Sequence, residues 1–76
     1  MKRIESRRLK TLLFDADITY AQLAKKLGVS ENNITMKING KRRWWIDECV
    51  EIARILGRSN LEEIFPELYN AYIRFD

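Results

Sequence analysis

At 76 residues the chain is one domain, near the lower size limit for a hydrophobic core that is stable without metals or disulfides. One cysteine and no histidine exclude an intramolecular disulfide and a zinc site of the usual Cys/His type, and no apolar run approaches the ~20 residues of a membrane span. The net charge of +3 is unevenly spread: residues 1–43 hold eleven Lys/Arg against four Asp/Glu, whereas residues 44–76 hold three against seven.

The basic first half can attract a polyanion, although small soluble domains also carry uneven charge for solubility alone. The N-terminal residues lead into no hydrophobic signal core, and a single cysteine suits a reducing compartment. We therefore expect a soluble, cytoplasmic protein.

Apolar residues recur at helical spacing along the chain, and no stretch alternates long enough to be a convincing strand. This pattern predicts an all-α fold. We expect one compact five-helix domain over residues 1–66 and a short C-terminal extension over residues 67–76. The predicted helices lie near residues 4–15, 19–27, 30–39, 46–56 and 60–65, with a sixth turn or short helix after Pro66.

Capping patterns support these boundaries. Thr19 with Gln22, and Ser59 with Glu62, fit the capping box, in which a hydroxyl accepts from one amide and the later side chain accepts from the cap amide. Ser30 is the expected N-cap of the third helix. Three glycines are expected to close helices with a left-handed backbone: Gly28, Gly40 and Gly57.

The second and third helices are joined by only Gly28 and Val29. So short a link makes them cross steeply, which is the helix-turn-helix geometry, with Gly28 in the turn and Val29 filling the core beneath it. Ala24 is small enough to let the two helices approach closely.

The segment AQLAKKLGVSENNI at residues 21–34, the Asn39-Gly40-Lys41 turn and EIARILGRSNLEEIF at residues 51–65 resemble the phage repressor/Cro-type helix-turn-helix family, the lambda-repressor-like domain. The match runs from about Leu9 to Phe65. The resemblance implies a compact five-helix domain that binds double-stranded DNA, commonly as a dimer.

Two positions depart from the family. Lys37 stands where relatives often have an apolar residue, which leaves its facing open. Many relatives also pair an Arg with a Glu at the positions of Leu13 and Ile38, and the exchange of a buried ion pair for two aliphatic residues is self-consistent.

Side chains that can read base edges lie on and beside the exposed face of the third helix. If Ile34 and Ile38 define its buried side, then at ~100° per residue Asn32 and Met36 lie nearly opposite. Asn can bind adenine with two hydrogen bonds, Thr and Met can touch a thymine methyl group, and Glu can accept from cytosine. Without DNA each would be an ordinary solvent-facing residue. The candidate base-reading residues are Ser30, Glu31, Asn32, Asn33, Thr35 and Met36.

Residues at the start of the second helix and after the third are expected to contact phosphates, which position the protein without specifying sequence. Lys25 and Lys26 are instead interpreted as a solvated face. Trp44 is expected to be structural and Trp45 exposed, where its indole can donate to a phosphate; the alternative is that both rings pack in the core. The candidate phosphate contacts are Thr19, Tyr20, Asn39, Lys41, Arg42, Arg43 and Trp45.

The C-terminal extension is rich in large apolar side chains. It either covers the core of its own monomer or forms a homodimer seam, and we favour the seam because so much aromatic surface would otherwise be exposed. The residues concerned are Leu68, Tyr69, Tyr72, Ile73 and Phe75.

The sequence contains no histidine, no phosphate-binding glycine loop and no carboxylate pair that would indicate a catalytic or cofactor site. We therefore expect neither an enzyme nor a cofactor. The sequence predicts a sequence-specific transcriptional regulator of phage or mobile-element type, acting as a repressor on an operator. The alternative is a protein-interaction module on the same fold, such as an antitoxin or adaptor.

Overall fold

Six helices and a π-helical segment follow one another in the computed structural model, which describes residues 4–73, the last two by their backbone alone. The expected all-α, lambda-repressor-like fold is confirmed, with no strand in the described range. No helix within that range is long and apolar enough to span a bilayer. The elements are α1 (Arg7–Asp15), α2 (Tyr20–Leu27), α3 (Glu31–Ile38), α4 (Ile46–Leu56), α5 (Leu61–Ile64), α6 (Pro66–Leu68) and the π-helical segment Tyr69–Ile73.

α1 begins three residues later than expected because the chain before it pairs with another part of the molecule. The amide of Ser6 donates to the carbonyl of Ile38 at 2.8 Å, which holds this segment against the end of α3. Ser6 is fully buried, and its hydroxyl accepts from the indole of Trp44 at 3.0 Å instead of capping α1. Tertiary contacts therefore replace the predicted first turn of the helix.

The missing cap of α1 is supplied from the far end of the chain. The amide of Arg8 donates to the carboxylate of Glu67 at 3.1 Å. A negative charge near the first turn favours the positive end of a helix, and α1 has no acidic residue of its own there. Glu67, in the predicted C-terminal extension, is therefore in contact with the first helix.

α1 ends without a glycine. Asp17 adopts a left-handed backbone with φ of +59°, and the next amide, that of Ile18, donates to the carbonyl of Leu13 at 2.9 Å. Asp is among the few residues besides glycine that enter this conformation readily. Asp17 thus turns the chain from α1 towards α2.

Most of the predicted caps are confirmed. Thr19 and Gln22 form a reciprocal capping box on α2, and the Ser30 hydroxyl accepts from the amide of Asn33 at 3.1 Å. The predicted box of Ser59 and Glu62 is wrong, because the side-chain oxygen Oδ1 of Asn60 accepts from the amide of Glu62 at 2.9 Å. Asn is as good an N-cap as Ser, and the chain reaches it one residue later. Gly28, Gly40 and Gly57 all have the predicted positive φ.

The core lies where α1, α3, α4 and α5 meet. α1 presents Leu9, Leu12 and Leu13 one helical turn apart, and the small Ala24 lies buried between α2 and α3 as expected. Leu13 and Ile38 are both buried, so two aliphatic side chains occupy the positions of the family's ion pair. The buried apolar residues are Leu9, Leu12, Leu13, Leu23, Ala24, Ile34, Ile38, Cys49, Ile52, Ala53, Ile64 and Phe65.

The buried thiol of Cys49 gives a chemical test of this core. Burial, assisted by the neighbouring Glu48 carboxylate, raises the pKa of Cys49 to about 11 from its ordinary 9.0. Because the thiolate is the nucleophile, we expect alkylation by iodoacetamide at pH 8 to be much slower in the native chain than in urea. The Cys49 thiol stays protonated to a higher pH in the folded state than in the unfolded state. Its contribution to stability is therefore fully present below pH 9 and is lost as pH rises towards 11. Equal alkylation rates with and without urea would contradict the burial.

Candidate nucleic-acid interface

α2 and α3 form the helix-turn-helix predicted from the sequence. Gly28 ends α2 with φ of +73°, and the amide of Val29 donates to the carbonyl of Ala24 at 3.0 Å, which closes the end of α2. Val29 packs against the core beneath the turn. The turn therefore fixes the crossing of the two helices, and α3 presents one side to the core and the other to solvent.

α3 divides its side chains between these two surroundings. Ile34 and Ile38 are buried, as predicted, and Lys37 joins them. On the other side Ser30, Glu31 and Asn32 are exposed, whereas Asn33, Thr35 and Met36 are half-buried. The six candidate base-reading residues thus lie together at the N-terminal end and along the solvent side of one helix.

Local hydrogen bonds hold several of these side chains before any ligand is present. The Asn32 amide group donates to the sulfur of Met36 at 3.6 Å, and the Thr35 hydroxyl donates to the carbonyl of Glu31 at 3.1 Å. The contact with Asn32 also explains why Met36 is less exposed than helix geometry predicts. The Ser30 hydroxyl accepts from Asn33, so its first role is to cap the helix.

Lys37 is the residue whose role the sequence left open. Its ammonium group lies 2.6 and 2.5 Å from the two carboxylate oxygens of Glu48, and the side chains of the pair are only 5% and 13% exposed. The same carboxylate accepts from the amide of Trp45 at 2.9 Å, and the ammonium group lies 5.7 Å from the centre of the Trp44 ring. One ion pair therefore fastens the end of α3 to the start of α4.

Sequence reasoning missed this pair because its members lie eleven residues apart on different helices. The available signals were a lysine at a core-facing position of α3 and a glutamate at the third position of α4. Glu48 lies in the first turn of α4, where a carboxylate favours the helix dipole, and it also neutralises a buried cation.

At the start of α2, Thr19 is engaged in its cap. Its hydroxyl accepts from the amide of Gln22 and its own amide donates to the Gln22 side chain at 2.9 Å. The amides of Tyr20 and Ala21 have no acceptor within a helix, because they belong to its first turn. Tyr20 packs partly against the core, and burial raises the pKa of its hydroxyl.

The loop between α3 and α4 carries the densest positive charge. Lys41, Arg42 and Arg43 are exposed, as are Asn39 before them and Trp45 after them. The loop is bent by Gly40, where φ is +79°. The predicted phosphate contacts of this loop therefore share one solvent-facing segment directly after α3.

The two tryptophans lie in different surroundings. Trp44 packs partly against the core, with its ring centre 5.6 Å from that of Phe65 and its indole donating to Ser6. Trp45 is the N-cap residue of α4 and 70% of its surface is exposed. The alternative in which both rings pack in the core is excluded. Lys25 and Lys26 are exposed on α2, as expected.

The C-terminal extension is described only in part. Leu68 packs against the core and Tyr69 is half-buried. The side chains of Tyr72 and Ile73, and all of Phe75, lie outside the described residues. In the described part of the extension, Leu68 therefore covers the core of its own chain.

Comparison with known families agrees with this geometry. No curated protein sequence matches the chain closely enough to count as a relative. The family of Cro/C1-type HTH DNA-binding domains matches residues 8–65, a span that includes α2, α3, the basic loop and α4. The chain therefore belongs to the Cro/C1-type HTH DNA-binding domain family.

Proposed function

We propose that this DNA-binding domain is a sequence-specific transcriptional repressor of phage or mobile-element type, which acts by occupying an operator. Membership of the family supports DNA binding and transcription regulation in general. The observation that carries the more specific proposal is the solvent side of α3, where polar side chains suited to base edges lie together. They stand on a helix held by buried Ile34 and Ile38 and by the Lys37 ion pair.

Asn32 is the leading base reader. One hydrogen of its amide group is directed at the sulfur of Met36, which leaves its carbonyl oxygen and its other hydrogen available as an acceptor and a donor. Adenine presents the complementary pair in the major groove. Because Met36 restrains the side chain before DNA arrives, less rotational entropy is lost on binding.

The roles of the other candidate base-reading residues follow from the side-chain groups that they can offer to a base. The Thr35 hydroxyl donates to its own helix, which leaves the methyl group for a thymine methyl. Glu31 is exposed at the first position of α3, where its carboxylate can accept from cytosine. Ser30 and Asn33 complete the set as secondary candidates, together with Met36 itself.

Phosphate contacts come from the two ends of the motif. Tyr20 offers its amide at the positive end of α2 and carries a hydroxyl, and Thr19, which caps the helix, carries another. On the other side of α3, Lys41, Arg42 and Arg43 carry exposed positive charge, and Asn39 and Trp45 supply further donors. Contacts from both ends would fix α3 in the groove.

We further propose that the repressor binds as a homodimer. A dimer of this motif reads two half-sites about one helical turn, ~34–36 Å, apart. The C-terminal extension, residues 67–76, is one candidate for the dimer seam, because Tyr69 is only half-buried and further large apolar side chains follow it in the sequence.

The test is selection from randomised duplex DNA by the purified full chain at two salt concentrations, followed by sequencing of the bound fraction. We expect a palindromic motif whose half-sites are one helical turn apart. Binding without an enriched motif that vanishes as salt rises would show only counterion release. That result would overturn the repressor proposal and favour the antitoxin or adaptor role.

Two substitutions separate base reading from phosphate contact. Asn32→Ala should weaken binding to the selected site by about 1–3 kcal/mol, roughly 5–150-fold, and relax preference at one position. Arg42→Ala should weaken binding to all sequences alike. It should also reduce the magnitude of the negative slope of log K against log salt by about 1. Fluorescence anisotropy against the selected and a scrambled duplex measures both.

Lys25→Ala is the matched control, since it removes an exposed cation of α2 outside the proposed contacts. It should leave affinity within about twofold of the parent chain. If Asn32→Ala left both affinity and preference unchanged, α3 would not be reading adenine through this residue.

A further inference from the structure

We propose that the exposed side of α4 is the seam of the homodimer, with α4 of a second copy packed antiparallel against it. This inference rests on the proposed function, which calls for two half-sites, and it places the seam on α4 rather than on the C-terminal extension. Its basis is a row of exposed apolar residues flanked by charges of opposite sign.

Exposed apolar side chains are concentrated at the start of α4. Ile46 is 70% exposed and Val50 is 45% exposed, and both lie on one face because they are four residues apart. The core side of the same helix is formed by Cys49, Ile52 and Ala53. The apolar stripe of α4 is therefore wider than the part that the domain covers, and Ile46 and Val50 form its uncovered side.

Charged residues of opposite sign stand near the two ends of this side. Asp47 is exposed near the N-terminal end, and Arg54 stands near the C-terminal end with its side chain 73% exposed. The guanidinium group of Arg54 lies 2.7 Å from the carboxylate of Glu51. Two parallel copies would place like charges together, whereas two antiparallel copies place the acidic end of each helix beside the basic end of the other.

The spacing of these residues fits a two-fold axis at Val50. With a rise of about 1.5 Å per residue, Asp47 lies about 4.5 Å to one side of Val50 and Arg54 about 6 Å to the other. Across such an axis the two Val50 side chains meet, and Asp47 of each copy is almost level with Arg54 of the other. A two-fold interface requires this kind of self-complementary surface.

A seam on α4 also places the basic loops. The loop of each copy ends at α4, so the seam brings the two loops towards the centre of the operator.

Charge reversal tests the seam. The full chain should sediment as a dimer, twice the monomer mass of 9.1 kDa. Asp47→Arg and Arg54→Asp should each raise the dimer dissociation constant at least about tenfold, because each sets like charges opposite one another. The double variant should return it towards that of the parent chain, because the two charges have then exchanged places.

Phe14→Asp is the matched control, because Phe14 is 84% exposed and lies on α1. It should leave the dimer intact. Circular dichroism checks that each variant is folded, and Val50→Asp, at the centre of the seam, is a further variant that should give a monomer.

Three results would overturn the seam: a parent chain that is monomeric at all concentrations, single charge reversals that leave the dimer dissociation constant unchanged, or dissociation by Tyr69→Asp alone, which would place the seam on the extension. The proposed function fails by a separate result: the parent chain, whether monomeric or dimeric, selects no DNA motif.

Discussion

Glu48→Leu is expected to lower the free energy of unfolding by about 3–5 kcal/mol, because it leaves the ammonium group of Lys37 buried without its counter-charge. That ammonium group is enclosed by the end of α3, the start of α4 and the Trp44 ring. The substitution also removes the acceptor of the Trp45 amide. Urea unfolding followed by circular dichroism measures the loss.

Lys37→Met is the informative partner of this variant. It leaves the carboxylate of Glu48 in place, where it is closer to solvent and keeps its bond to the Trp45 amide, so the loss should be smaller, about 1–3 kcal/mol. The double variant, which combines Lys37→Met with Glu48→Leu, should be within about 1 kcal/mol of the parent chain, since no buried charge remains. Additive losses in the double variant would show that the two charges do not act as a pair.

Gly40→Ala should be the most damaging exchange of a glycine by a single methyl group. A Cβ atom there would lie 2.7 Å from the backbone nitrogen and oxygen of Ile4, and φ is +79°. The left-handed conformation alone costs about 1–2 kcal/mol and the overlap adds about 1–3 kcal/mol. The backbone at Ile4 would have to move, and with it the pairing of Ser6 with Ile38.

Gly57→Ala measures the free-energy cost of the left-handed backbone without any steric overlap. Gly57 has φ of +68°, but a Cβ atom there would meet nothing within 4 Å. It should therefore show the conformational cost alone, and thermal unfolding should rank the parent chain first, Gly57→Ala second and Gly40→Ala last. Equal losses at the two positions would mean that the backbone at Ile4 can move away from a Cβ atom at position 40 without a cost in free energy.

The middle of the chain was predictable because its signals are local. The caps at Thr19 and Ser30 and the glycine turns at Gly28 and Gly57 each act within a few residues, and α2, α3 and α4 lie within a residue of their predicted ends. The arrangement of polar residues on α3 followed from buried Ile34 and the helical period in the same way.

The rest depended on contacts between distant residues. The start of α1 is displaced by Ser6, which bonds to Ile38 and Trp44, and Lys37 is buried only because Glu48 faces it from another helix. Helical periodicity gave no reason to bury a lysine. These contacts decide how rigidly the candidate DNA-binding surface is held, whereas the proposed base-reading residues were chosen from the sequence of α3 alone.

The hydrogen bond from Arg8 to Glu67 has a consequence for the order of events during synthesis, because it joins residues 59 positions apart. A nine-residue helix such as α1 is marginal by itself in water. At about 5–20 residues per second, the ribosome needs roughly 3–12 s to add the 59 residues that separate the amide from its carboxylate. The nascent chain therefore carries α1 without this cap for seconds, and the cap can form only after Glu67 has left the ribosome.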